Sequence, residues 1–310
     1  MPVVHGRARL WTALCVGLFT LAACAINRPS PPASVEKPPA QEIGPPKIAL
    51  VLGGGAAKGF AHVGVIKALE SHGLTPDIVV GTSAGSVVGA LYAAGYNGFD
   101  LQRVALSMDE ATVRDWGLPN RGFIKGQSLQ DFVNEAVQNR PIDRLNRKLA
   151  VVATDLQSGE PFVFDRGNTG LAVRASSSVP GIFQPVKIGG REYVDGGLVS
   201  PVPVEVARQL GADIVVAVDI SDHPRPGRLA DTIDVMLQTL AIMGRTIAAT
   251  ELKEADVVIA PDISQLASAS FDSRNYAIIE GEKAGLAAIP RVEEKIAAYY
   301  ESKKSTAAGR

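Results

Sequence analysis

From Lys47 onward the chain carries two kinds of hydrophobic pattern. Short β-rich or apolar runs occupy Lys47 to Gly53, Asp77 to Val80, Leu149 to Thr154, Ile214 to Val218 and Val257 to Ala260. Between or after them, apolar residues recur every three to four positions: Val63, Ile66 and Leu69 within Phe60 to Ser71, then Ser128 to Gln138 and Val204 to Leu210. An apolar run without polar alternation is a strand covered on both faces, whereas the three-to-four spacing marks one face of a helix. The first three segments, with Gly73 closing the helix, predict a βαβ unit. Repetition of the scheme predicts an α/β fold, a mostly parallel sheet covered on both faces and joined by right-handed crossovers. Pro161 to Phe164 and the stretch around Gly189-Gly190 read as antiparallel additions. Ser128, with Asp131 three residues on, reads as a capping-box-like helix start.

Further on, Leu229, Ile233, Met236, Leu237, Leu240, Met243 and Ile247 share one helical face. Core packing is the expected role, with membrane insertion or an adaptable, methionine-bearing lid as rivals. Asp155 and Asp219 end apolar strands, where turn capping is the expected role. Ser176, Ser177 and Ser178 suit either an acyl channel or a polar loop.

The N-terminus is organised differently. Arg7 and Arg9 precede the apolar stretch Leu10 to Ala23, which is too short to span a bilayer comfortably and has the charge layout of an export signal. Leu21-Ala22-Ala23-Cys24 resembles the lipobox of bacterial lipoproteins, which implies cleavage before Cys24 and lipid on its thiol; an ordinary secretory signal with an A-x-A-like site is the rival. Ala25 after the cysteine resembles an outer-membrane sorting signal. Residues 25 to 46 hold seven prolines and little apolar pattern, a stiff tether reaching on the order of 60 Å if fully extended. The expected layout is therefore a signal over 1–23, a tether over 24–46 from a lipidated Cys24, and one domain over 47–310. Its motifs fall between 48 and 220.

Cys15 would leave with the signal, so the mature chain would keep Cys24 alone, without a disulfide or a cysteine metal site. Loss of Arg7 and Arg9 takes the formal charge from -1 to -3, a mildly acidic body that lacks the basic stripe of a nucleic-acid binder.

Two glycine-bearing turns carry the chemistry. Gly81-Thr82-Ser83-Ala84-Gly85 follows the apolar run Ile78 to Val80 and precedes Val87, Val88, Leu91 and Tyr92 at helical spacing. A G-x-S-x-G turn from strand to helix holds its serine in a strained, exposed position, facing the helix's positive end. Gly53-Gly54-Gly55-Ala56-Ala57-Lys58-Gly59 lies between the first strand and the first helix. It fails the dinucleotide fingerprint, because Lys58 stands where the last glycine belongs, and it fails the P-loop for want of a Lys-Ser or Lys-Thr pair. An oxyanion hole beside the serine is the better reading, and no nucleotide is expected.

The serine needs a base. His62 and His72 precede it and only His223 follows it, in Ser221-Asp222-His223-Pro224. His223 would serve a triad in the order Ser, acid, His. Asp195, in Tyr193-Val194-Asp195-Gly196-Gly197, is the competitor, and a carboxylate acts as a base there only if burial raises its pKa.

The glycine loop at 53 to 59, Gly81 to Gly85 and Asp195-Gly196-Gly197, in that order, resemble the three signature blocks of the patatin-like phospholipases. Arg174 to Gly181 and Val152 to Asp155 also resemble family segments, so the likeness covers most of residues 47 to 220. The resemblance implies a three-layer α/β/α sandwich, hydrolysis of lipid acyl esters and a Ser-Asp dyad with no histidine, metal or cofactor. Carried over, it makes Ser83 the nucleophile and Asp195 the base, with the N–H groups of Gly54, Gly55 and Ala56 holding the oxyanion. Gly53, Lys58 and Gly59 complete that loop. The implied protein hydrolyses a lipid or simpler ester while anchored on the outer membrane and facing the periplasm; a catalytically silent lipid-binding lipoprotein on the same scaffold is the alternative.

Overall fold

The computed structural model describes residues 43–108, 122–221, 231–263 and 273–308. The signal, Cys24, tether residues up to 42, Leu229 and His223 lie outside the described residues. In chain order the elements are β1 (Ile48–Leu52), α1 (Phe60–Ser71), β2 (Ile78–Thr82), α2 (Ala84–Ala93), α3 (Gly98–Ser107), α4 (Gln127–Ala136), β3 (Lys148–Asp155), β4 (Pro161–Phe164), α5 (Thr169–Ser176), β5 (Val186–Ile188), β6 (Arg191–Asp195), α6 (Val204–Gln209), β7 (Ile214–Val218), α7 (Thr232–Glu251), β8 (Val257–Ile259) and α8 (Arg274–Ala308). The expected strands and helices fall on these within a few residues.

β3, β2, β1, β7 and β8 lie side by side in that order and run parallel. Alternate residues of each central strand feed opposite faces. Leu50, Leu52, Val79, Leu149, Val151, Ile214 and Val216 join the core under α1 to α4 and α8, while Ala49, Val51, Val80, Ala150, Val152 and Val215 meet α6 and the end of α7. The result is three layers, helices on both faces of one sheet. The uninterrupted apolar runs follow directly, because neither face of these strands meets water.

One detail of the sheet positions the site. Val151 and Val152 pair with Gly81 and Thr82 of β2 on one side and with Phe164 and Val163 of β4 on the other. Ala153 and Thr154 keep β4 on that second side, yet pair antiparallel with Asp195 and Val194 of β6. A strand has only two hydrogen-bonding edges, so β2 and β6 share one edge of β3 and meet on it end to end. β2 arrives from one direction and stops at Thr82; β6 arrives from the other and stops at Asp195.

Three expectations need correction. α4 begins one residue before Ser128, after Gly126 in the left-handed conformation, with no side-chain cap; Gln127 Nε2 donates to Asp131 Oδ1 at 2.8 Å. α7 is not a core helix: Ala248 is its one fully buried residue, Leu237 and Met243 are 38% and 52% exposed, and Ile233, Met236, Leu240 and Ile247 are only half-buried. Leu237 and Leu240 of its apolar face line a cavity instead, a difference that periodicity does not encode. α8 was not expected at all. It packs on α1 by close approach, since a Cβ at Gly281 would lie 2.0 Å from the Ala61 carbonyl oxygen. Contact through glycine leaves a weak apolar stripe to read.

Candidate active site

The junction of β2 and β6 brings together residues 112 positions apart in the chain. Ser83 Oγ donates to Asp195 Oδ2 at 2.6 Å, and both side chains are nearly buried, at 8% and 6% exposure. Ser83 has φ 52 and ψ −123, a region that non-glycine residues avoid, so the elbow expected from Gly81 to Gly85 is present and strained. Surroundings hold it there. The Ser83 carbonyl accepts the Ser86 N–H at 2.8 Å and the Ser86 hydroxyl at 2.6 Å, and Gly85 admits no side chain, since a Cβ would lie 2.0 Å from the Leu52 carbonyl oxygen. Gly81 packs against the backbone of Gly85 and Ser86 in the same turn.

Asp195 is fixed on every side. Its N–H donates to the Ser178 carbonyl at 2.9 Å, its own carbonyl accepts the Thr154 hydroxyl at 2.8 Å, and its Oδ1 accepts the Gly197 N–H at 2.7 Å. Gly196 lets the turn pass against β3, where a Cβ would lie 2.2 Å from the Val152 carbonyl oxygen. Burial pushes the carboxyl up to about 6, against the bonds from Ser83 and Gly197 that favour the charged form. A base of that strength is mostly ionised at neutral pH and can still accept a proton.

The glycine loop passes beside the nucleophile, where a Cβ on Gly54 would sit 3.3 Å from Ser83 Cβ. Its donors are fewer than expected. The N–H of Gly53 is taken by the Val218 carbonyl at 3.1 Å, that of Gly54 by Pro201 at 2.9 Å and that of Lys58 by Gly55 at 3.1 Å. Gly54 is therefore withdrawn from the expected oxyanion donors, and Gly55 and Ala56 remain. Lys58 is buried and lines a different, smaller cavity of about 280 Å³ together with Asp219 and Ser221. Gly59 rests against Ala84 at the start of α2.

His62 lies under this loop. It is fully buried, and its Nε2 is 2.8 Å from the Gly53 carbonyl; since that oxygen only accepts, the ring donates from Nε2. Burial holds its pKa down at about 4, so it is neutral. Asp155 and Asp219 cap turns as expected, Asp155 accepting the N–H groups of Gln157 and Ser158 and Asp219 that of Ser221.

Ser83 and Asp195 open into a cavity of about 720 Å³. One end runs between helices past Leu101, Val104 and Ala105 of α3 and Leu129 and Phe132 of α4; the other is bordered by Leu237, Leu240 and Gly244 of α7. Ser177 also lines it, while Ser176 turns away into the scaffold. Sequence reasoning did not separate the roles of these serines. Three identical residues in a row carry no signal that tells them apart; their burial alternates only in the folded structure.

The model of the patatin-like phospholipases matches residues 50–208, just over half the chain. The chain belongs to the patatin-like phospholipase family. An uncharacterised NTE family protein of Mycobacterium tuberculosis is 35% identical over 179 residues, 57% of this chain and 49% of that protein. Human patatin-like phospholipase domain-containing protein 6 is 32% identical over 230 residues, 71% of this chain but 16% of that one. The lysophospholipase NTE1 of Debaryomyces hansenii is 30% identical over 194 residues, 60% of this chain and 13% of the yeast protein. This patatin-like chain thus spans half or less of these relatives' length. Among solved structures, VipD from Legionella pneumophila shares the fold at TM-score 0.55 and 14% identity, over 78% of this chain and 66% of VipD.

Proposed function

We propose that the protein is a serine lipid acyl hydrolase working through a Ser-Asp dyad and an acyl-enzyme. The observation that carries this reading is the 2.6 Å bond from Ser83 Oγ to Asp195 Oδ2 at the wall of a largely apolar cavity. Asp195 takes the Ser83 proton as Oγ attacks the ester carbonyl carbon. The oxyanion forms beside the N–H groups of Gly55 and Ala56, and collapse expels the alcohol with the proton held by Asp195. Water, deprotonated by the same carboxylate, then releases the fatty acid. The apolar stretch between α3 and α4 suits an acyl chain, and membership in a phospholipase family supports a lipid ester as substrate.

The test is hydrolysis of a short-chain aryl ester together with covalent labelling of Ser83 by a fluorophosphonate. Ser83→Ala should abolish both. A wild-type protein that neither hydrolyses nor labels would replace this reading with the silent lipid-binding scaffold. We further propose that Cys24 is lipidated and holds the domain at the outer membrane, facing the periplasm, on the strength of Leu21-Ala22-Ala23-Cys24 and Ala25. Cys24→Ser should move the protein from the membrane to the soluble fraction; unchanged fractionation would refute the anchor.

A further inference from the structure

The end-to-end meeting of β2 and β6 leaves a break in the ladder along β3, and one side chain spans it. Ser176, the last residue of α5, is fully buried. Its Oγ donates to the Val152 carbonyl at 2.5 Å and accepts the Ser83 N–H at 2.8 Å. A hydroxyl has one proton, and Val152 takes it, so a lone pair is left aimed at the nucleophile's amide. Two residues on, the Ser178 carbonyl accepts the Asp195 N–H at 2.9 Å. A single short segment thus grips the backbone of both reacting residues at the point where their strands stop. Ser178 is itself tied back into α5, its hydroxyl donating to the Arg174 carbonyl at 2.8 Å.

We propose that Ser176 is a positioning residue for the nucleophile: its hydroxyl holds the strained Ser83 backbone against β3 and so keeps Ser83 Oγ within reach of Asp195. The proposal rests on the reading of Ser83 as nucleophile. Its physical basis is the backbone of Ser83, since a residue at φ 52 relaxes unless its neighbours over-determine it. The Ser83 carbonyl is held within its own turn by Ser86, so Ser176 is the tie that reaches the amide side from another element. In Ser176→Ala the Ser83 N–H and the Val152 carbonyl both lose their partner in a buried place, and the elbow is free to rotate its hydroxyl away from the carboxylate. That bond also favours ionised Asp195, so losing it weakens the acid.

The experiment uses the full chain in detergent and compares wild type, Ser176→Ala and Ser176→Cys. Three quantities are measured: fluorophosphonate labelling rate at Ser83, kcat and KM for an aryl ester across pH, and melting temperature. Ser176→Ala should lower kcat and labelling about 100-fold, the scale that a displacement of about 1 Å carries, with KM unchanged. Its acid limb should move to higher pH, a change that loss of folded protein alone does not produce. Ser176→Cys keeps a weak S–H donor and a weak acceptor and should recover part of the rate. Wild-type labelling rate and an unmoved acid limb in a folded Ser176→Ala would overturn the proposal while leaving the dyad standing. A wild-type protein that resists labelling would overturn the dyad reading, and this one with it.

Discussion

Replacing Asp195 by Asn separates what the dyad does for catalysis from what it costs the fold. Asn is isosteric, its Oδ1 can still accept the Gly197 N–H, and its Nδ2 can donate to Ser83 Oγ, whose own O–H then turns toward the cavity. The variant has no base, and the loss of a positioned general base removes about 10²- to 10⁴-fold in rate. Stability should move the other way. The folded-state pKa of Asp195 is raised from 3.8 to about 6, so the folded state binds this proton more tightly than the unfolded chain does. Keeping the group ionised at pH 7 then costs the wild type about 3 kcal/mol, a cost absent from Asn. For a domain of this size roughly 2–4 °C accompany each kcal/mol, so Asp195→Asn should melt several degrees above wild type at pH 7. The sign carries a further check. As pH falls through about 6 toward 4 the wild-type carboxyl is protonated and wild type recovers this stability, while Asn does not titrate; the gap between the two should close. Thermal unfolding of both proteins from pH 4 to 7.5, with aryl-ester assays alongside, measures this. Hydrolysis that persists in the variant, or a melting gap that is absent or independent of pH, would refute the reasoning.

His62 should act with the opposite sign. Its pKa is lowered from 6.5 to about 4, so stability present above pH 6.5 is lost as pH falls toward 4, and His62→Gln, which can still donate to Gly53, should lose less than wild type in urea titrations over that window. Gly85→Ala should destabilise by about 3 kcal/mol or more and abolish labelling of Ser83, because its Cβ would lie 2.0 Å from the Leu52 carbonyl in a turn that cannot widen. A melting temperature equal to wild type would show the turn to be compliant. Ala105→Trp fills the cavity between α3 and α4 and should cut turnover of a long-chain ester about tenfold more than that of a short-chain one. Equal losses on both substrates would place the acyl chain elsewhere.

The central strands and α1 were legible because they are local: Ile48 to Leu52 and Ile214 to Val218 are apolar at every position, as strands covered on both faces are. The elbow and the glycine loop were legible for a related reason, since tight turns and close backbone approach restrict residue choice within a few positions. What could not be read depends on partners far away in the chain. Nothing in Gly53-Gly54-Gly55 says that Pro201 takes one of its amides, nor in Arg174 to Ser178 that alternate residues grip two other strands. The face of α7 has the spacing of a core helix, yet its Leu237 and Met243 are exposed. α8 carries only a weak apolar stripe, broken by glycines such as Gly281 and Gly285 where it approaches α1 closely.

Under the proposed dyad reading, the sheet supplies a reason why a carboxylate would serve as the base in place of an imidazole. A base reaches a nucleophile either on a long side chain from a neighbouring loop or on a short one from an adjoining backbone. Here β6 delivers Asp195 onto the same edge of β3 that β2 leaves at Thr82, with their partners on β3 one residue apart. At that separation a short side chain spans the gap. The same proximity buries the carboxyl against Ser83 and the strand backbone, and burial lifts it from an ordinary weak base to one near 6. Reach and basicity therefore have one origin, the end-to-end strand junction. The largely apolar cavity above it is where the proposed acyl chain would lie.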